Sequence, residues 1–177
     1  MSKDYDRNSR RIKTLTAKRN AKIDDYMHKA SRDITNYLVS NKIAELVIGY
    51  NKNWKQDINL GKKNNQKFVQ IPFLKLIDML TYKCALEGIK VTLINESYTS
   101  KCSFLDDENI RKHTQYAGKR IKRGLYKTST GELINADVNA SYNILKKHLE
   151  KKVAWNLKIF RDCVEVSSVP VIKTVSS

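Results

Sequence analysis

The chain has 177 residues, with 34 Lys and Arg against 18 Asp and Glu, a formal net charge of +16 and a pI of about 9.8. Hydrophobic residues make up 41% of it, which argues against a wholly disordered chain, and no apolar run reaches the roughly 20 residues of a membrane helix. The polar start predicts no signal peptide, and three scattered cysteines exclude a disulfide framework.

This charge excess predicts a polyanion as partner, because neutralised phosphates release counterions and supply affinity without any reading of sequence. Nucleic acid is the first expectation, ahead of a ribosomal-type structural role and of an acidic membrane surface. We therefore expect a soluble, cytoplasmic, nucleoid-associated protein.

The first half of the chain alternates helix and strand. Apolar residues at helical spacing predict a long helix over residues 8–41, whose basic face is either a solvated face or a stripe that follows phosphates. Residues 45–50 are nearly all apolar and predict a strand buried on both faces. The polar segment 51–67 predicts a loop, either solvent-exposed or in contact with nucleic acid. The candidate phosphate contacts in this loop are Lys55, Lys62 and Lys63.

A second helix is predicted to begin at Pro72 and to end before Gly88, because proline suits a first turn and glycine a helix end. Residues 89–95 alternate in polarity and predict a second strand, with Glu96 at its carboxyl end. Helix, strand, helix, strand forms an α/β unit with parallel strands. Chemistry in such folds gathers at the carboxyl ends of the strands, where Glu96 lies.

The second half predicts a hairpin and a third helix. Residues 120–127 and 132–134 are predicted to pair across a turn at 128–131. Asn135 can cap a helix over residues 136–152, which places Asp137 in its first turn. The tail from 153 to 177 has no strong period, which favours partial disorder, with Trp155, Leu157 and Phe160 as candidates for docking back.

Glu96 and Asp137 are the candidate catalytic pair and metal ligands. Two metal ions that clamp a phosphodiester need several hard oxygen ligands on rigid elements, and these two carboxylates lie at a strand end and a helix start. From the residues alone, the simpler alternative is an exposed strand-end charge at Glu96 and a favourable helix-dipole position for Asp137.

Three segments carry a family resemblance: VIGYNKNWKQDINLGKKNNQKFVQIPFLKLIDMLTYKCALEGIKV, NESYTSKC and RIKRGLYKTSTGELINADVNASYNILKK. In combination they resemble the transposon-encoded OrfB/TnpB family, which is related to the type V CRISPR effector nucleases. The resemblance runs from about Asn8 to Lys147. It implies a RuvC-type nuclease core of ribonuclease-H fold, which cuts DNA with divalent metal ions and three acidic residues and is directed by a guide RNA.

The resemblance implies an α/β fold: a partial ribonuclease-H-like (RuvC) core that lacks its first three strands, with an inserted, degenerate zinc-ribbon-like hairpin. The implied domains are a partial core at 1–96, an inserted region that binds target nucleic acid at 97–135, a third core helix at 136–152 and a tail at 153–177. A two-stranded remnant with a bare edge is marginal alone, so we expect weak stability, association or a partner.

By position, Glu96 resembles the second acidic residue of the family and Asp137 the third, with Mg²⁺ or Mn²⁺ as the implied cofactor. The family's first acid lies in an Asp-x-Gly strand upstream of the long helix, and neither Asp4 nor Asp6 lies on an apolar strand. We therefore predict that the chain alone does not cleave DNA. Its expected partners are DNA, a guide RNA and an upstream polypeptide that supplies the missing strands. The alternative is a catalytically silent nucleic-acid-binding module or a decayed transposase remnant.

The family usually carries a zinc ribbon of two Cys-x-x-Cys knuckles, but here only Cys102 remains, so we expect no bound zinc. Cys84 is predicted to be a core residue, and His28 and His148 surface residues. The remaining candidates for nucleic-acid binding, most of them in the ribbon region, are Lys101, Lys119, Arg120, Lys122, Arg123 and Asn139.

Overall fold

The computed structural model of the protein describes residues 10–51 and 72–163. The helices are α1 (Arg10–Ser40), α2 (Phe73–Leu86), α3 (Ala136–Leu149) and α4 (Leu157–Cys163). The strands are β1 (Glu45–Gly49), β2 (Lys90–Ile94), β3 (Lys119–Lys122), β4 (Leu125–Lys127) and β5 (Leu133–Asn135). None of the described helices combines the length and the hydropathy that a membrane crossing requires. The predicted contacts Lys55, Lys62 and Lys63 lie outside the described residues.

The chain divides into two compact units, the first built on α1 and α2 and the second on the two sheets, α3 and α4. In the first unit α1 packs along α2. The prediction that Cys84 is a core residue is confirmed, since it is fully buried with its Sγ 3.8 Å from Thr35 Oγ1. Lys83 is also buried, and its Nζ donates to His28 O at 2.7 Å and to Ser31 Oγ at 2.6 Å. Burial lowers the pKa of Lys83.

β1 and β2 form a two-stranded sheet. The bonds from Lys90 N to Ala44 O (2.9 Å) and from Tyr50 N to Ile94 O (2.8 Å) advance in the same direction along both segments, so the predicted parallel pairing is confirmed. All five residues of β1 are half-buried, so the prediction of a strand buried on both faces is wrong. An apolar run shows that a strand is hydrophobic, but whether other elements cover one or both of its faces depends on tertiary packing.

A three-stranded antiparallel sheet stands where the sequence predicted one hairpin. β4 pairs with β5 across the predicted turn, which confirms the hairpin. The segment predicted as one strand is two, because Gly124 at φ +75° turns the chain between β3 and β4. The inner face of this sheet buries Tyr126 and Ile134, with Ala136 beside them at the start of α3.

Asn135 caps α3 as predicted: its side-chain oxygen accepts from Asp137 N at 2.9 Å and from Val138 N at 3.2 Å. The tail is structured as far as the described residues reach. The predicted docking of Trp155 and Phe160 is confirmed, with ring centroids 6.1 and 5.9 Å from that of Phe104. The start of α4 at Leu157 adds a short helix that the sequence did not predict.

His148 was predicted to be a surface residue, and this is wrong. It is buried, with its Nε2 3.2 Å from Glu45 Oε2. Glu45 also accepts from Lys152 Nζ at 2.6 Å and from Thr92 Oγ1 at 2.6 Å. These partners, Lys152 and Thr92 first, hold the pKa of Glu45 at about 2. The cluster ties the start of β1 to β2 and to the end of α3.

Candidate metal site and nucleic-acid interface

Glu96 lies half-buried beyond the end of β2, and its carboxylate faces Gly49 at the end of β1. A Cβ on Gly49 would lie 3.0 Å from Glu96 Oε2 and 2.5 Å from Ile144 Cδ1 on α3. Glycine therefore leaves the room that the carboxylate and the isoleucine share. The two strand ends and α3 together position Glu96.

A lysine fastens the segment around Glu96 to α3. Lys147 Nζ donates to Asn95 O at 2.8 Å and to Ser97 O at 3.3 Å, the two residues that flank Glu96. Burial lowers the pKa of Lys147, and the nearby charge of Lys151 adds to this effect. The ammonium thus both anchors this strand end and adds positive charge beside it.

Asp137 lies in the first turn of α3, with its side chain 85% exposed and its Oδ1 3.4 Å from Arg120 Nη2. Ile144, seven residues later, lies on the same face of α3, about 10 Å along the helix axis. Glu96 Oε2 and Ile144 Cδ1 both approach Gly49, so Glu96 lies near this face of α3. Across residues 10–51 and 72–163, no three His, Cys, Asp or Glu side chains form a group that could hold a metal ion. That Glu96 and Asp137 together hold a pair of metal ions remains a prediction.

Asn139 was predicted to contact nucleic acid, but it is fully buried. Its Oδ1 accepts from Phe104 N at 2.9 Å, and its Nδ2 donates to Cys102 O at 2.9 Å. One turn later Asn143 is also fully buried, and its Nδ2 donates to Thr99 O at 2.9 Å and to Cys102 O at 2.8 Å. Both asparagines fix the loop after Glu96, so this position for Asn139 corrects the predicted contact. The sequence did contain a signal for this: in NASYN the two asparagines are four residues apart, which places them on the same face of a helix.

Hydrogen bonds join the loop that follows Glu96 to the three-stranded sheet. Cys102 is fully buried and its thiol donates to Asn109 O at 3.5 Å, while burial raises the pKa of the thiol. In the turn between β4 and β5, Ser129 N donates to Asp106 Oδ2 at 3.0 Å, and Ser129 Oγ forms a hydrogen bond with Asp106 Oδ1. Tyr126 Oη donates to Lys101 O at 2.7 Å. These contacts cross-link the loop and the sheet.

The predicted basic contacts lie on the surface of this region. Arg120 pairs with Asp137, as described above. Sequence reasoning missed Lys127, which stands directly opposite Lys119 in the β3–β4 register. The exposed candidates are Lys101, Lys119, Arg120, Lys122 and Arg123.

Two protein-family models match parts of the chain. A family model described as "Cas12f1-like, TNB domain" matches residues 73–144, and one described as "Probable transposase" (OrfB_IS605) matches residues 1–55. The chain belongs to the OrfB/TnpB and Cas12f family. The first model spans Glu96, Asp137 and the whole three-stranded sheet, so this family relationship covers the candidate site.

Two curated members of the family are similar in sequence. The CRISPR-associated endodeoxyribonuclease Cas12f2 of Micrarchaeota archaeon (strain CG1_02_47_40) is 32% identical over 146 residues, 79% of this chain and 26% of that protein. Cas12f1 of Sulfoacidibacillus thermotolerans is 31% identical over 132 residues, 72% of this chain and 30% of that protein. The chain thus spans less than a third of the length of these relatives.

The fold is similar to that of a solved member. A chain in the cryo-EM structure of the Cas12f1-sgRNA-target DNA complex matches with a TM-score of 0.59 and 20% identity, over 76% of this chain and 36% of that one. The likeness concerns the fold. It agrees with the mixed α/β architecture of two small sheets and helices described here.

Proposed function

We propose that this chain is part of a transposon-type, RNA-guided DNA endonuclease: a partial ribonuclease-H-like (RuvC) core that lacks its first three strands, with an inserted nucleic-acid-binding sheet. The observation that carries the proposal is the position of Glu96, which faces Gly49 and Ile144 where two parallel strands end against α3. That is where α/β folds place their chemistry. Asp137 on the same helix supplies the second acid.

The donor chemistry of the site fits a hard divalent cation, Mg²⁺ or Mn²⁺. Glu96 and Asp137 would hold it, because carboxylate oxygens are the ligands that these ions prefer. When bound, such an ion polarises a phosphodiester and lowers the pKa of an attacking water. Arg120 would hold Asp137 in place and add positive charge on the side where a phosphate approaches.

The number of donors does not suffice for catalysis. Each hard cation takes about six oxygen ligands, and two carboxylates leave most of these to water. We propose that a polypeptide carrying the Asp-x-Gly strand completes the site and also pairs with the small β1–β2 sheet. The isolated chain would then bind nucleic acid without cutting it.

The test is a plasmid-cleavage assay with Mg²⁺ or Mn²⁺, run with the isolated chain and with a polypeptide that carries the upstream strands. We expect cleavage only in the mixture, lost in Glu96→Gln and in Asp137→Asn and kept in the matched control Glu132→Gln, an exposed acid just before β5. Cleavage by the isolated chain that Asp137→Ala abolishes would refute the proposed inactivity.

A catalytically silent nucleic-acid-binding module is the second candidate. It is favoured by the exposed position of Asp137, whose carboxylate pairs with Arg120. The same assay separates the two functions. A mixture that binds DNA but never cuts it, with either metal, would support the silent module.

A further inference from the structure

Lys119 and Lys127 stand opposite each other in the antiparallel pairing of β3 and β4. Directly opposed residues place their side chains on the same face of a sheet, with Cβ atoms about 5 Å apart. Like charges in such a pair destabilise the sheet. In the described part of the chain, no acidic side chain lies within ion-pair distance of either lysine.

The neighbouring residues of both strands point to the other face. Arg120, next to Lys119, reaches Asp137 at the start of α3. Tyr126, next to Lys127 and opposite Arg120, is buried in the core of the sheet. The two lysines therefore share the face that points away from this core, where both are exposed to solvent.

A cleft of about 320 Å³ opens on this face. Its lining includes Tyr116, Lys119, Lys127, Thr128 and Ser129. Gly118, which also lines the cleft, packs closely against Tyr126 and the backbone of Lys127. A Cβ on Gly118 would lie 2.5 Å from Tyr126 Cε1 and 2.8 Å from Lys127 O. Gly118 therefore leaves room for the buried Tyr126 ring beneath the cleft, and no larger residue fits there without displacing that ring or the backbone of β4.

Tyr116 supplies an aromatic surface in the same cleft. Its ring is half-buried and meets the His113 ring edge-on, with centroids 5.3 Å apart and an interplanar angle of 71°. This contact holds the ring. Aromatic rings beside cationic side chains are the elements with which proteins hold single-stranded nucleic acid, through base stacking and phosphate contacts.

We infer that this cleft is a binding subsite for single-stranded nucleic acid, in which Lys119 and Lys127 hold backbone phosphate and Tyr116 stacks with an adjacent base. Phosphate between the two ammonium groups offsets the repulsion that the sheet register imposes on them. The inference deepens the proposed function, on which it rests for the class of ligand, and adds Lys127 and Tyr116 to the interface.

The experiment measures binding of a fluorescent single-stranded thymidine oligonucleotide to the full chain by anisotropy, at a series of salt concentrations. Each phosphate contact adds about 0.7 to the slope of log K against log salt. We expect Lys119→Gln and Lys127→Gln each to lower the slope by about that amount, and Lys119→Arg with Lys127→Arg to keep it. The matched control is Lys151→Gln, an exposed lysine beyond α3 that should leave the slope unchanged.

Tyr116 is tested by the preference for single strands over duplex of the same length. We expect Tyr116→Leu to weaken single-strand binding about tenfold with little effect on duplex binding, and Tyr116→Phe to keep the preference. Thermal melts at low salt show that the variants fold, and we expect Lys127→Gln to melt higher than the parent, since it removes the opposed like charge.

The outcomes are distinct. Oligonucleotide binding by the parent with unchanged slopes in both glutamine variants would overturn the inference and leave the proposed function standing. A parent chain that binds neither single strand nor duplex would overturn both.

Discussion

The side-chain oxygen of Asn139 accepts a hydrogen bond from the backbone N–H of Phe104 at 2.9 Å, with both groups fully buried. The same amide donates to Cys102 O. Asn139, two residues after Asp137 on α3, therefore holds the loop that follows Glu96 from a fully buried position.

Asn139→Ala should destabilise the chain by about 1–3 kcal/mol, because it leaves a buried N–H without its partner. Asn139→Asp should be at least as costly, since it removes the donor to Cys102 O and buries a charge. Urea unfolding of each variant checks this. The control is Ser141→Ala on the exposed face of the same helix, and an equal loss there would contradict the specific role of Asn139.

Gly49 is predicted to be intolerant of larger residues. A Cβ at this position would meet Ile144 Cδ1 at 2.5 Å and Glu96 Oε2 at 3.0 Å, so Gly49→Val must displace both side chains. We expect a cost of about 1–3 kcal/mol from overpacking and weaker Mn²⁺ binding.

A double-mutant cycle isolates this contact. Gly49→Ala is made in the parent and in the Ile144→Ala variant, and its cost in free energy of unfolding is compared. We expect the cost to be smaller in the Ile144→Ala variant, because the shorter side chain leaves room for the added methyl group. Strict additivity of the two changes, measured by urea unfolding, would show that the contact is not the cause.

Glu45 is predicted to make stability sensitive to acid. Its folded pKa of about 2 lies below the ordinary value of 4.5, so its contacts contribute fully above pH 4.5 and are lost as the pH falls from 4.5 toward 2. Thermal melts of the parent should fall over this range, and those of Glu45→Gln should fall less. Glu132→Gln, an exposed acid, should follow the parent, and a parallel decline in Glu45→Gln would exclude the cluster as the source.

Trp155 is predicted to fix the segment after α3. Its Nε1 donates to Asp107 Oδ1 at 2.7 Å, and Lys146, only 1% exposed, places its Nζ 5.6 Å from the indole ring and bonds the same carboxylate. Trp155→Ala should cost about 2 kcal/mol and increase proteolysis after residue 152. Trp155→Phe should cost less, and Val153→Ala, at an exposed position, should change neither.

The pattern of the sequence predicted the elements well where a local rule decides them. The helical period of apolar residues predicted α1 and α2, and Pro72 and Gly88 predicted where α2 begins and ends. Asn135, as an N-cap residue, predicted the start of α3. The strand count of the ribbon region was harder to predict, because residues 120–127 alternate like one strand and only Gly124 divides them.

The candidate site divides in the same way. The sequence by itself determined that Glu96 ends a strand and that Asp137 opens a helix, since both positions follow from local patterns. Only the tertiary structure decided that Asn139 and His148 point inward, that Gly49 faces Glu96, and that Lys119 meets Lys127. Those relationships join residues distant in sequence, and they depend on strand register and helix rotation, which no local pattern encodes.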